Sequence, residues 1–135
     1  MSDFNLKIIE EFRSHGGKLA GPFEGAPMLL LHSKGARSGT ERVNPVMYRQ
    51  VGDALAVFGS KGGAPTNPDW YYNLLAHPET TVEVGTETIQ VVARVPGSDE
   101  RRPIWEDQKR DYPGFADYER QTTRQIPVVI LERAQ

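Results

Sequence analysis

Short apolar runs, several alternating with polar residues, dominate this chain, and stretches of helical spacing interrupt them. Phe4, Ile8, Ile9 and Phe12 fall on one face of a helix that Asp3 can cap and Gly16-Gly17 ends. After a loop over Gly21 to Gly25, Pro27 to Ser33 reads as a buried strand. Gly35-Ala36-Arg37-Ser38-Gly39 follows as a turn-rich connection. Val43 to Val51 and Ala54 to Gly59 flank Gly52-Asp53 as the arms of a hairpin. Asn67 is placed as the N-cap, and Pro68 at the first position, of a helix ending near His77-Pro78. Thr80 to Val84 and Thr86 to Val95 meet at Gly85. Their alternation, Val82 and Val84 against Thr81 and Glu83, is that of half-exposed antiparallel strands. A third helix is capped by Ser98, carries Ile104 and Trp105, and fades by Arg110. Tyr112 to Arg124 is an irregular or helical aromatic segment, and Pro127 to Leu131 a closing buried strand.

Six short strands, mostly joined by hairpins and interrupted by helices, predict an α+β fold with a small antiparallel barrel. At 135 residues the chain is expected to form one domain, with residues 1–26 leading into a barrel over 27–131. A composition of 38% hydrophobic and 25% charged residues argues against disorder. The absence of cysteine excludes disulfides, thiolate metal sites and a Cys nucleophile, and fits a cytoplasmic protein. No apolar run is long enough to span a bilayer and no signal-peptide pattern is present, so a protein without a transmembrane segment is expected.

Net charge is −2, which gives no electrostatic reason to bind nucleic acid. The distribution is uneven: Lys34, Arg37, Arg42 and Arg49 face a single acid, Glu41, over one segment. Lys34 and Arg49 read as solvated strand and turn positions. Arg37 and Arg42, in Gly35-x-Arg37-Ser38-Gly39-x-x-Arg42-x-Asn44-Pro45, lie close enough to converge on one anion, with Ser38 adding its hydroxyl. The same motif reads equally as a hairpin turn with surface arginines. Pro45 lacks an N–H and belongs at a strand edge or bulge, where a ligand can approach the backbone.

Two further constellations stand out. In Ser60-Lys61-Gly62-Gly63, two glycines can leave amide groups free to face a ligand beside the Lys61 charge, with Trp70, Tyr71 and Tyr72 supplying flat surface just downstream. Such a loop suits a ligand planar at one end and anionic at the other, although at least one of the three aromatics should be core. It is neither a Walker A loop nor a dinucleotide fingerprint. Tyr112-x-x-Phe115-x-x-Tyr118 puts three rings on one helical face, which is either core or the wall of a pocket. His15, His32 and His77 lack metal-ligand spacing and read as structural, so no metal is assigned. No nucleophile elbow or paired-carboxylate site appears, so any chemistry belongs to a cofactor that the protein positions.

Together, the strings "GARSGTERVNPVMY", "SKGGAPTNPDWYYNL" and "YPGFADYERQTTRQIPVVIL" resemble the deazaflavin-dependent nitroreductase family, in order and over about residues 29–131. The resemblance implies a split β-barrel of the FMN-binding-like type that uses coenzyme F420. The reduced cofactor would pass a hydride to a small acceptor: a quinone, a nitroaromatic or an activated alkene. It further implies cofactor contacts from Ala36, Arg37 and Ser38, from Arg42, Val43, Asn44, Pro45, Val46 and Met47, from Phe58, Gly59, Ser60 and Lys61, and from Asp69, Trp70, Tyr71, Tyr72 and Asn73. Arg37, Arg42 and Lys61 would clamp the anionic tail. Ser60 would donate near the ring or substrate, and Tyr112, Phe115 and Tyr118 would wall the acceptor site. Where nitroreducing members commonly carry three tyrosines, the middle position here is Phe115. An FMN-dependent reductase on the same barrel and a non-catalytic cofactor carrier are the alternatives, and a homodimer is one way to cover exposed strand edges.

Overall fold

A computed structural model describes residues 3–134. The side chains of residues 3, 4 and 22 lie outside the described set, and with them the expected Asp3 cap and the position of Phe4. Six strands, β1 (Met28–Lys34), β2 (Glu41–Val51), β3 (Ala54–Phe58), β4 (Glu79–Val84), β5 (Glu87–Arg94) and β6 (Val128–Arg133), close an antiparallel barrel. Their order around it is β1-β2-β3-β6-β5-β4. Four helices flank it: α1 (Asp3–Ser14), α2 (Asp69–Ala76), α3 (Ser98–Asp111) and α4 (Gly114–Arg120). The α+β split-barrel expectation holds. No described helix is long and apolar enough to cross a membrane.

The apolar runs of β1, β3 and β6 are continuous because both faces of these strands are covered. Leu29, Leu31, Leu55, Val57, Val129 and Leu131 point into the barrel, where Trp70 and Leu74 of α2 join them. The alternate residues of β3 and β6, among them Ala56, Phe58, Val128 and Ile130, pack outward on Ile104, Trp105 and Phe115 of α3 and α4. Met28 and Leu30 pack outward on Ile9 and Phe12 of α1. Burying one such side chain contributes about 1.5–3 kcal/mol, so the outer helices are held as firmly as the interior.

β2 is the element that opens the barrel. Residues 41–47 pair with β1, and residues 48–51 with β3. The first seven residues of the strand therefore have a partner on one side only. Pro45, opposite Leu30, sits within that half-paired stretch, where its missing N–H breaks no ladder bond on the open side.

Three local expectations are corrected. Asn67 does not cap α2: the helix begins at Asp69, Pro68 holds the cap position, and no side chain caps it. The Asn67 amide is used elsewhere, accepting from Arg124 and donating to the Tyr72 hydroxyl. α3 begins at Ser98, but Gly97 holds its cap position without a side-chain bond. The aromatic stripe does not follow one helix, because Tyr112 ends α3 and Pro113 intervenes before α4.

Candidate active site

The open side of β2 forms one wall of a groove of about 1190 Å³. That is at or above the ~300–1,000 Å³ typical of a pocket for a drug-sized molecule, so a cofactor-sized ligand has room. Arg42, Val43, Asn44, Pro45, Val46 and Met47 all line it. The turn after β1 supplies Ala36, Arg37 and Ser38 at one end of this wall. Gly35 lets that turn close: a Cβ there would lie 2.5 Å from Ser38 Oγ, and its backbone exchanges bonds with Thr40 and Gly39. Ser38 Oγ accepts the Thr40 N–H at 3.1 Å, which fixes the turn from inside.

Asn73 ties the turn to α2. Its buried amide accepts the Ala36 N–H at 3.0 Å and donates to Ser33 Oγ at 3.2 Å. It lines the groove, but its amide is engaged by the protein on both atoms. Its evident role is to hold Ala36, Arg37 and Ser38 in place.

The Ser60 loop forms the opposite lip. Ser60 is helical (φ −70°, ψ −38°), while Lys61 is left-handed at φ +48° and Gly62 at φ +63°. A right-handed residue followed by a left-handed one turns successive N–H groups to one side, forming a concavity suited to an anion. Among the described residues, the N–H groups of Ser60, Lys61 and Gly62 have no acceptor. Lys61 is strained for a non-glycine residue, and its Nζ donates to Thr66 Oγ1 at 3.3 Å.

Three cations line the groove. Arg13, Arg49, Arg94, Lys109, Arg110 and Arg120 each pair with a carboxylate elsewhere in the fold. Arg37, Arg42 and Lys61 line the groove, and among the described residues no carboxylate is within ion-pair distance of them. Three cations and the Ser60 loop thus share one groove, which Asp69 also lines, and a guanidinium or ammonium there can pair with an anionic ligand.

Aromatic rings also line the groove. Trp70 is buried and faces both the barrel interior and the groove, while Tyr72 is exposed at the rim beside Asp69. Phe58 and Phe115 pack edge to face with centroids 5.6 Å apart, and Phe115 meets Tyr118 in the same manner at 5.6 Å. All three rings line the groove, so Phe115 is core and wall together. The Tyr118 hydroxyl has no partner among the described residues, which leaves it able to donate to a ligand. The α3–α4 pair behind these rings is clamped by Glu119. That carboxylate accepts from Trp105 Nε1 at 2.5 Å and Lys109 Nζ at 3.0 Å. Burial raises the Glu119 pKa, but the bonds from Trp105 and Lys109 outweigh it, and the carboxyl stays below its ordinary range.

Three expected site residues lie off the groove. Tyr71 packs on the barrel interior, Tyr112 packs behind Phe115, and Gly59 sits against Pro127, with its carbonyl turned to Arg124. Conversely, Asn5 of α1 and Phe23 of the short turn at Gly21–Phe23 line the groove, as does Met28. The helical spacing of α1 shows its buried face, and nothing in it marks Asn5 as facing a ligand.

The chain is similar to proteins of a described family. The model of a family described as F420H(2)-dependent quinone reductase matches residues 7–133. The chain belongs to this family. An F420H(2)-dependent quinone reductase of Mycobacterium tuberculosis is 34% identical over 126 residues, covering 90% of this chain and 85% of that one. Among solved structures, an F420-H2 dependent reductase is 36% identical with a TM-score of 0.71, over 78% of this chain and 94% of the other. A domain-swapped dimer is 33% identical with a TM-score of 0.73, over 94% and 92%. The heme storage protein HutZ of Vibrio cholerae, at 15% identity and a TM-score of 0.63 over 94% and 88%, shares the fold alone. The resemblance, the oxidoreductase reading and coenzyme F420 as cofactor thus hold, in preference to FMN. The lining residues fit that cofactor: Arg37, Arg42 and Lys61 offer positive charge to an anionic tail, and Trp70, Phe115 and Tyr118 offer flat surface to a ring.

Proposed function

We propose that this protein binds coenzyme F420 along the β2 groove and delivers its hydride to a small quinone at the Phe115–Tyr118 end. The observation that carries this is the set of unpaired cations, Arg37, Arg42 and Lys61, sharing one groove with Trp70, Phe115 and Tyr118. Arg37 and Arg42 would take the anionic tail, since a guanidinium gives paired hydrogen bonds to phosphate or carboxylate oxygens. The Ser60 and Lys61 N–H groups would take a further oxygen of the cofactor. Pro45 and its neighbours on the open side of β2, with Trp70 opposite, would flank the ring.

When bound, the reduced deazaflavin supplies the hydride itself. The protein's contribution is to hold donor and acceptor in contact and to exclude water with the Phe58, Phe115 and Tyr118 rings. The Tyr118 hydroxyl is the group placed to donate to a quinone oxygen as it gains electrons. Quinones are the acceptor class favoured here because the matching family and its Mycobacterium tuberculosis relative are named F420H(2)-dependent quinone reductases.

A titration of intrinsic Trp fluorescence with F420 and, separately, with FMN tests the cofactor assignment, since Trp70 lines the groove. F420 is expected to quench at micromolar concentration and FMN far more weakly. Equal affinity for FMN, or no response to F420 at tens of micromolar, would refute it.

A further inference from the structure

Arg124 lies behind the Ser60 loop rather than in the groove, and it uses four hydrogen bonds on that loop. Its Nε donates to Ala64 O at 3.0 Å, and one Nη to Gly59 O at 3.0 Å and to Asn67 Oδ1 at 2.6 Å. The other Nη donates to Ser60 O at 2.9 Å. A guanidinium has five N–H groups, so almost its whole donor capacity is spent on one loop. No other side chain among the described residues makes so many bonds to a single segment.

The bonds to the Gly59 and Ser60 carbonyls have a directional consequence. In a trans peptide the C=O and N–H point to opposite sides, and there are no cis peptides among the described residues. Drawing the Gly59 and Ser60 carbonyls toward Arg124 therefore turns the N–H groups of Ser60 and Lys61 away from it. Ser60 and Lys61 line the groove, and those two N–H groups have no acceptor among the described residues. Behind the loop, Gln121 of the segment after α4 closes on Gly63, where a Cβ would lie 2.7 Å from Gln121 Oε1. The left-handed Lys61 is thus held from the rear by residues of the α4–β6 connection.

We infer that Arg124 is a positioning residue that aims the Ser60 and Lys61 amides into the groove to receive an anionic oxygen of the ligand. The identity of that ligand as F420 rests on the function proposed above; the aiming of the amides does not. The charge of Arg124 is not what the ligand meets. Its fork geometry is what sets the loop, and lysine cannot reproduce it.

The test compares the parent protein with Arg124→Lys and Arg124→Ala. Amide resonances are followed by ¹⁵N NMR during titration with inorganic phosphate, and F420 affinity is measured by fluorescence. In the parent, the Ser60 and Lys61 amides are expected to shift with phosphate at tens of millimolar. In both variants those shifts are lost and the F420 Kd rises roughly ten- to a hundredfold. Added guanidinium ion should restore part of the affinity of Arg124→Ala. Should Arg124→Ala fail to fold, Arg124→Lys carries the comparison. Phosphate shifts and F420 affinity in Arg124→Lys equal to the parent would overturn the inference, as would parent amides that ignore phosphate. A parent whose two amides answer phosphate but which does not bind F420 would refute the cofactor assignment and leave this one standing.

Discussion

The Asn73 side chain holds the backbone of Ala36, accepting its N–H at 3.0 Å from thirty-seven residues along the chain. Through its second bond, to Ser33 Oγ, the same amide joins α2, β1 and the turn that carries Arg37. Removing it leaves a buried hydroxyl and a part-buried N–H unpaired, at a cost of about 1–3 kcal/mol. Asn73→Ala is expected to lower the thermal midpoint and, separately, to weaken F420 binding by releasing the Arg37 turn. A variant that melts and binds like the parent would show that the turn is held by its own internal bonds.

Arg42 is the test of the anion end. It lines the groove without a carboxylate partner among the described residues, so its removal breaks no ion pair within the protein. Arg42→Ala should leave stability unchanged and weaken F420 binding by ~1.5–3 kcal/mol, roughly ten- to a hundredfold. The loss should shrink as salt is added, because an exposed charge is screened. Binding as tight as the parent's would remove Arg42 from the site.

Phe115 and Tyr118 separate packing from chemistry. Phe115 is buried among Phe58, Trp105 and Tyr118, so Phe115→Ala is expected to cost ~3–5 kcal/mol of stability. Tyr118→Phe removes a hydroxyl that has no protein partner among the described residues and should change stability by less than ~0.5 kcal/mol. Steady-state kinetics of Tyr118→Phe should instead show a fall of about two- to tenfold in kcat/KM for the quinone, the value of one neutral hydrogen bond. An unchanged kcat/KM would take the hydroxyl out of acceptor recognition.

Acid stability should report on Glu83. The two Arg13 bonds, at 3.0 and 2.7 Å, are the largest influence holding its carboxyl below the ordinary range; burial opposes them, and the His32 contact adds to them. Because the folded-state pKa is depressed, the unfolded chain binds this proton first on acidification. The contribution of Glu83 is therefore present above the ordinary carboxylate pKa of about 4.5 and lost as pH falls through the folded value. Between about pH 5 and pH 3 the parent's thermal midpoint should fall more steeply than that of Glu83→Gln. Parallel slopes would assign the acid sensitivity to other groups.

The strands were legible in the sequence because their covering helices left apolar residues on both faces of β1, β3 and β6, and alternation where one face is open. The two lips of the groove were legible as well. Gly62 and Gly63, at positive φ, and Gly35, where a Cβ would meet Ser38 Oγ, mark turns, and cations stand next to them in the sequence. Less accessible were relationships between distant segments. The stripe of Tyr112, Phe115 and Tyr118 has helical spacing, but Pro113 breaks the helix and turns Tyr112 behind the wall. Asn67 has the chemistry of a cap, yet Arg124, fifty-seven residues later, claims its carbonyl. Asn5 and Phe23 reach the groove through tertiary packing of α1 and the loop before β1, which no local pattern encodes.

Hydride transfer from the bound, reduced cofactor can be followed in a single turnover. Protein preloaded with reduced F420 is mixed with menadione in a stopped-flow instrument, and the return of oxidised F420 is followed by absorbance. Rapid reoxidation is expected, with one menadione reduced per F420, slowed in Arg42→Ala when F420 is subsaturating. Tight binding of reduced F420 with no reoxidation above the protein-free rate would contradict it and leave a cofactor carrier in its place.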